Sequence, residues 1–335
     1  MRTARTTPTM AAVAAAAGVS QQTVSRVLNN SPAVSSKTSQ KVRAAMAALS
    51  YRPNLVARAL VTGNTRIIGA LVSSTTLSGP SGTLLGIEQT ARKGGYWISM
   101  AGLQSKTAEE VADVISHFIN QGVDGIIAVA QTQIAVDATL EAIGAMPTVL
   151  VTSGQVPDGC FSADIDQADG ARQLMTILRG LGHENIAHVC GPSGDLHAAA
   201  RADSWRACLP DGAEQILVEG DWSSGSGYQA AMTLLASRAK PTAIFAGNDR
   251  MAFGVLRALN ERGLQVPRDM SVVGFDDIEG SDCSIPPLTT VRQNHSALGS
   301  VAMELLLEAM DGRPARSVKI PGQLVVRAST GVPRS

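Results

Sequence analysis

Acidic residues are missing from the N-terminal part of this chain. The first carboxylate is Glu88, whereas residues 1–66 contain nine lysines and arginines. The whole chain has 28 basic and 28 acidic residues, which leaves 19 basic against 28 acidic residues after position 66. A small basic segment joined to a larger acidic body is typical of nucleic-acid-binding proteins, because the phosphates attract the basic segment and repel the acidic body. A disordered basic tail is the alternative interpretation, but the segment has helical periodicity and cap residues.

Long apolar runs and closely spaced cysteines are also lacking. No stretch of about 18 apolar residues predicts a membrane span. Arg2, Arg5 and the run 10–19 superficially resemble an export signal, but that run is mostly alanine, which is weakly hydrophobic and strongly helix-forming. Four scattered cysteines without a CxxC pair predict reduced thiols in the cytoplasm: Cys160, Cys190, Cys208 and Cys283.

Motifs of enzymes are missing as well. The chain has no GxxxxGK[ST] phosphate loop, no GxSxG nucleophile elbow and no HExxH metal motif. Its five histidines show no ligand spacing, and the neighbouring Asp276 and Asp277 project differently, which makes a poor acid–base pair. We therefore expect no catalysis, no metal and no cofactor.

Residues 9–30 predict two short helices around a tight turn. Thr9 and Ser20 are suited to cap the two helices, and Gly18 suits the left-handed turn between them. Ser35 is suited to cap a third helix over about 36–49. The apolar residues that recur at helical spacing predict the shared core: Met10, Val13, Val24, Val27, Leu28, Val42, Met46 and Leu49. This pattern predicts a three-helix, helix-turn-helix domain.

The second of these helices carries Gln21, Gln22 and Arg26 on its outer face. Glutamine and arginine side chains can make paired hydrogen bonds to base edges in the major groove. Asn54 can then cap a helix of about two turns that Gly63 ends, a length that is marginal in isolation. Leu60 in this helix is interpreted either as a wedge between minor-groove base steps or as a residue that packs on the body.

Apolar strands alternate with amphipathic helices after residue 63, which predicts a doubly wound α/β body of parallel sheets, repeated twice. The helices are expected to include 107–121 and 249–263. The predicted strands are 67–73, 97–103, 125–130, 148–153, 186–191, 243–247 and 271–276.

Polar residues follow several of these strands, where ligands of parallel sheets bind. The carboxylate, amide, guanidinium and indole groups of this set suit a sugar: Ser73, Arg201, Trp222, Asn248, Asp276 and Gln293. Each also has a purely structural interpretation. Asn248 or Asp276 can cap the next helix, Asp277 competes with Asp276 for either role, and Trp222 can be a core residue.

Several segments resemble the LacI/GalR family of bacterial transcriptional regulators, to which the lactose and galactose repressors belong. In the basic N-terminal part these segments are AAVAAAAGVSQQTVSRVLN, VSSKTSQKVRAAMAALSYRPN and VARAL. In the body they are GDWSSGSG, GNDRMAFG and SVVGFDD followed by IPPLTTVRQ. The motifs are specific, occur in family order and extend over nearly the whole chain.

The resemblance implies a helix-turn-helix head over 1–53, a hinge helix over 54–63 and a periplasmic-binding-protein-like body over 64–335. Subdomain one would comprise about 64–162 and 292–320, and subdomain two about 163–291 and 321–335. The implied protein is a homodimeric repressor on near-palindromic operator DNA, with Leu60 opening the central base step. The expected DNA-contacting residues are Ser20, Gln21, Gln22, Ser25, Arg26, Asn29, Asn54, Ala57 and Leu60.

The resemblance also implies that a small sugar or glycoside binds between the subdomains and releases the DNA. It adds Leu77 and Pro80 to the six effector-contacting residues. Thr152 and His295 replace an aspartate and a phenylalanine of lactose-type members, which should alter ligand recognition. No leucine-heptad tail follows the body, so we expect a dimer rather than a tetramer. A corepressor-type regulator and an exported sugar-transport protein are the alternatives.

Overall fold

The computed structural model describes residues 8–28, 31–51, 63–72, 78–104 and 107–334. Two compact units lie within residues 1–65 and 66–335. The predictions for six residues lie outside the described residues, and these are Asn29, Asn54, Ala57, Leu60, Ser73 and Leu77. Within the described ranges, no helix is long and apolar enough to cross a membrane.

In the described part of the head, three short helices form: α1 (Met10–Ala17), α2 (Gln21–Leu28) and α3 (Ser36–Ala48). The predicted caps are confirmed. The hydroxyls of Thr9, Ser20 and Ser35 accept hydrogen bonds at 3.3, 3.1 and 3.2 Å from backbone N–H groups three residues later. Each bond satisfies a donor that the first helical turn leaves unpaired.

Gly18 ends α1 with φ of 66°, the left-handed conformation that a side chain would resist. The three helices then meet on one small core. Its buried members are Val13, Ala14, Val24, Val27, Val42 and Ala45, against which Met10, Leu28, Met46 and Leu49 pack. The predicted three-helix packing is confirmed, with Ala14 and Ala45 as core residues that the sequence pattern did not single out.

The body contains two parallel sheets. The first has six strands in the order β11-β5-β4-β3-β1-β2, and the second has four in the order β7-β6-β8-β9. The strands of the first sheet are β1 (Ile67–Val72), β2 (Trp97–Gly102), β3 (Gly125–Val129), β4 (Thr148–Val151), β5 (Phe161–Ile165) and β11 (Ser317–Ile320). Those of the second sheet are β6 (Ile186–Cys190), β7 (Leu217–Glu219), β8 (Ala243–Ala246) and β9 (Ser271–Val273). The predicted doubly wound α/β architecture is confirmed.

The chain passes between the two sheets three times. It first leaves the six-stranded sheet after β5, which extends this subdomain three residues past the expected position 162. Between the sheets, β10 (Thr290–Arg292) pairs antiparallel with β12 (Gln323–Val325), so the two later crossovers lie side by side.

Helices cover both sheets: α4 (Ser78–Lys93), α5 (Ala108–Gln121), α6 (Gln133–Ala142), α7 (Gln167–Gly180), α8 (Leu196–Ala207), α9 (Ser224–Ala236), α10 (Asp249–Glu261) and α11 (His295–Met310). Helices α4 and α11 approach closely at two glycines. A Cβ atom on Gly86 would lie 2.1 Å from the Ser296 carbonyl oxygen, and one on Gly299 would lie 2.0 Å from that of Thr83. This contact ties the late helix α11 to the first sheet.

Candidate ligand cleft and helix-turn-helix surface

A cleft lies where the strands of both sheets end. This edge of a parallel sheet is where small-molecule ligands bind. Strand β5 and α11 contribute to the cleft from the six-stranded side, and α8 and the loop after β8 contribute from the other side. Five of the predicted effector residues line it together: Arg201, Trp222, Asn248, Asp276 and Gln293.

Arg201 is the buried cation of the cleft, with 4% of its side chain exposed. Its Nε donates to Oε1 of Gln167 at 2.9 Å, and its Nη1 donates to the Gly247 carbonyl. Its guanidinium also lies 3.8 Å from the centre of the Phe275 ring. Burial lowers the pKa of Arg201, while Asp276 raises it. These contacts hold the Arg201 guanidinium in place before any ligand binds.

Asp276 is the carboxylate that faces this guanidinium. Its Oδ1 lies 3.6 Å from Arg201 Nη2 and accepts a hydrogen bond from Gln293 Nε2 at 2.6 Å. Gln167 Nε2 in turn donates to Gln293 Oε1 at 2.9 Å, which closes a ring of four side chains. Burial raises the pKa of Asp276, and Arg201 and Gln293 oppose that rise.

Asp276 and Asp277 have different partners, which shows which of the two carboxylates faces the cleft. Asp277 is 5% exposed and forms ion pairs of 2.7 Å with both Arg292 and Arg327. Asp276 has a φ of 114°, a strained conformation for a residue with a side chain. The backbone turn thus directs Asp276 into the cleft and Asp277 into a structural ion-pair network.

Asn248 has a structural role and lines the cleft as well. Its Oδ1 accepts from the N–H of Met251 at 2.8 Å, which caps α10, and its Nδ2 donates to the Trp222 carbonyl at 3.1 Å. Trp222 is 9% exposed, and its ring lies so close to Gly191 that a Cβ there would be 2.1 Å from Cζ2. Asn248 and Gly191 therefore fix the aromatic wall of the cleft.

Several residues that line the cleft were not predicted from the sequence, among them Gln167, Asp164 and His197. Gln167 begins α7, Asp164 lies in β5, and His197 lies in the first turn of α8. Strand β5, with the sequence FSADI, carries polar residues within its short run and was not predicted, so its carboxylate had no assigned position. The beginning of α8 follows a predicted strand, and that position was the available signal for His197.

The two departures from lactose-type members differ in their positions. The hydroxyl of Thr152 accepts from the N–H of Gly154 at 3.0 Å within its own loop. Asp164, on the neighbouring strand, supplies a carboxylate to the cleft instead. His295 lines the cleft, where burial lowers its pKa to about 4, so its imidazole is neutral near pH 7. Pro80 lies in the first turn of α4, and nothing is described of its side chain.

The outer face of α2 is the second candidate surface. Gln21, Gln22 and Arg26 are exposed, opposite the buried Val24 and Val27. Ser25 is half-buried on the same outer face, and Ser20 is exposed at the helix start. No group of three or more metal-binding side chains occurs in the part of the chain that the structure describes.

Comparisons with known proteins agree with this architecture. Residues 9–54 match the family model described as bacterial regulatory proteins, lacI family, and residues 176–330 match the model of a periplasmic binding protein-like domain. The lactose operon repressor of Escherichia coli (strain K12) is 38% identical over 330 residues, which are 96% of this chain and 91% of that repressor.

Solved structures extend the match to the whole fold. The Lac repressor dimer bound to operator and the anti-inducer ONPF has a TM-score of 0.89 at 36% identity, covering 97% of this chain and 99% of that one. A complex of the transcriptional regulator CelR with cellobiose has a TM-score of 0.71 at 28% identity, covering 96% and 99%. The chain belongs to the LacI family of bacterial regulatory proteins, and at the level of that family it is a DNA-binding transcriptional repressor rather than an enzyme.

Proposed function

We propose that this repressor is a cytoplasmic homodimer that is released from near-palindromic operator DNA by a sugar or glycoside bound in the cleft. The buried Arg201–Asp276 pair carries the proposal. It presents a donor fork beside a carboxylate acceptor, 3.6 Å apart, at the bottom of a cleft walled by Trp222. Neighbouring hydroxyls of a sugar need both kinds of partner, and the apolar face of a pyranose ring stacks on indole.

The proposed coupling arises because both subdomains contribute to the cleft. Gln293 follows β10 at a crossover, whereas Gln167 and Arg201 lie on α7 and α8 of the second subdomain. A ligand that prefers one arrangement of the subdomains shifts the population by the difference between its affinities for the two arrangements. A change from 99% DNA-competent to 1% needs about 5.5 kcal/mol, which two sites in a dimer can share.

The proposed DNA contact uses the outer face of α2, with Gln21, Gln22 and Arg26 reading base edges. The first 66 residues contain no carboxylate that would repel phosphate. In the remainder of the proposed DNA-contacting set, Ser20 and Ser25 lie at the start of α2 and on its outer face. Asn29, Asn54, Ala57 and Leu60 are family-based assignments. Ser73, Leu77 and Pro80 are likewise proposed to complete the effector site, as family-based assignments.

The test begins by selecting an operator from a random duplex library with the full-length protein. Fluorescence anisotropy on that duplex is then measured with a panel of monosaccharides, disaccharides and alkyl glycosides. We expect at least one sugar to weaken DNA binding by the unmodified protein but not by Trp222→Ala. Arg26→Ala should bind the DNA more weakly by about 1–3 kcal/mol and still bind that sugar. Tightening by a sugar instead identifies a corepressor mechanism, and no effect of any sugar contradicts the proposed effector class.

A further inference from the structure

The cleft contains a second polar group that the Arg201–Asp276 network does not include. Oδ2 of Asp164 accepts a hydrogen bond from the Ser153 hydroxyl at 2.7 Å, and its Oδ1 lies 3.9 Å from Nε2 of His197. Asp164 and His197 both line the cleft, with 11% and 25% of their side chains exposed. They therefore form a partly solvated carboxylate–imidazole pair inside the ligand site.

The two polar groups are reached from one face of α8. His197 and Arg201 are four residues apart on this helix, so they share that face and lie about 6 Å apart along its axis. Both point into the same cleft. A ligand whose first ring is held by Arg201 can therefore extend along the cleft to His197.

The chemistry of this second group favours hydroxyls over an apolar substituent. Asp164 accepts hydrogen bonds, and the imidazole of His197 has a ring N–H that donates them. His295 adds a neutral imidazole, which both donates and accepts hydrogen bonds and whose side chain packs on Gly79 and Gly82 near the start of α4. An apolar group would remove these side chains from water without replacing their hydrogen bonds, which is unfavourable.

We propose that Asp164 and His197 bind hydroxyls of a second sugar ring, so that the effector is an unsubstituted disaccharide or longer saccharide rather than a glycoside of an apolar alcohol. This inference rests on the proposed sugar-responsive function. It adds a chemical class for the effector and two specificity-determining residues. In this proposal Asp164 supplies the carboxylate that lactose-type members have at position 152. Thr152 has no carboxylate, and its hydroxyl binds within its own loop.

Isothermal titration calorimetry on the full-length protein tests the proposal. The probes are lactose, cellobiose, maltose and melibiose, with glucose, galactose and their phenyl and octyl β-glycosides as matched partners. We expect a disaccharide to bind most tightly. Asp164→Asn and His197→Gln should each weaken that disaccharide about 10-fold or more, the loss of a hydrogen bond to a charged or buried group. Binding of the corresponding monosaccharide should change less than about two-fold, because it reaches only the Arg201 side.

The matched control is Asp203→Asn, because this carboxylate lies on the same helix, pairs with the exposed Arg206 and is not among the cleft-lining residues. Unchanged melting temperature and operator affinity without sugar show that the variants are folded. Equal losses for disaccharide and monosaccharide would overturn the inference, and so would tightest binding of a phenyl or octyl glycoside. If no sugar binds the unmodified protein, the proposed effector class itself is wrong.

Discussion

Replacing Arg201 by methionine tests the buried ion pair of the cleft most directly. The guanidinium is 4% exposed and its carboxylate partner Asp276 is 22% exposed, at 3.6 Å. Methionine retains much of the volume between Phe275 and Trp222, against which the guanidinium packs. The substitution therefore removes the charge and leaves Asp276 with Gln293 as its neutral partner.

Breaking a buried ion pair by removing one partner costs about 3–5 kcal/mol, and the partial exposure of Asp276 favours the lower limit. A change of this size lowers the melting temperature by roughly 6–12 °C in a domain of 150–250 residues. The double variant Arg201→Met/Asp276→Asn removes both charges, and we expect it to recover much of that loss. Neither variant should respond to sugar, because both have lost the donor fork.

The pH dependence identifies the cause of the destabilisation. In the unmodified protein, burial raises the pKa of Asp276 and Arg201 opposes that rise. Without Arg201 the pKa of Asp276 rises further, and the ionised form is destabilising above that pKa. The penalty disappears as pH falls through the raised pKa, so the stability of the single variant should approach that of the unmodified protein as the pH is lowered. The double variant should lack this dependence.

Differential scanning calorimetry at one fixed protein concentration provides the measurement, because dimerisation makes the melting temperature concentration-dependent. Arg206→Met is the matched control, since it removes an exposed arginine from the same helix and should change the melting temperature little. A destabilising role for the unpaired Asp276 is contradicted if Arg201→Met melts within about 2 °C of the unmodified protein near pH 8, or if adding Asp276→Asn does not raise the melting temperature.

Three further predictions concern other parts of the molecule. Arg26→Ala should weaken operator binding by about 1–3 kcal/mol in fluorescence anisotropy, without changing the circular dichroism spectrum. Gly191→Ala should displace the Trp222 ring, whose Cζ2 would lie 2.1 Å from the new Cβ, and should destabilise the body by about 1–3 kcal/mol with a shifted tryptophan fluorescence. Burial lowers the pKa of His188 to about 4, so the protein should lose stability as pH falls from about 6.5 towards 4, and His188→Phe should flatten that loss in thermal melts.

The elements that could be predicted from the sequence are those whose local signals agree. Thr9 and Ser35 precede helical patterns and cap them, and strands such as β1 and β3 are apolar runs buried in the sheet. Strands β7 and β11 expose alternate residues at sheet edges, and β10 and β12 have three residues each, so none of them carries a distinctive pattern. Their positions follow from tertiary pairing, which single-sequence periodicity does not contain.

Some residues of the cleft could likewise be predicted from the sequence, and others could not. Asn248 and Asp276 follow apolar strands, so their place at the sheet edge could be predicted from the sequence. Asp164 depends on β5, and Gln167 on the crossover that follows it, so both required the three-dimensional path of the chain. Whether Asn248 caps a helix or lines the cleft could not be decided beforehand, because it does both: its Oδ1 caps α10, and its position is at the cleft.

The order of strands in the first sheet has a consequence for biosynthesis. Strand β11, at residues 317–320, pairs with β5, and helix α11 packs against α4 through Gly86 and Gly299. The N-terminal subdomain of the body therefore lacks its edge strand and a covering helix until nearly the whole chain has left the ribosome. The four strands of the second sheet, β6 to β9, are continuous in sequence and are synthesised earlier. We expect the nascent chain to expose apolar surface of the first subdomain during synthesis, where chaperones would bind it.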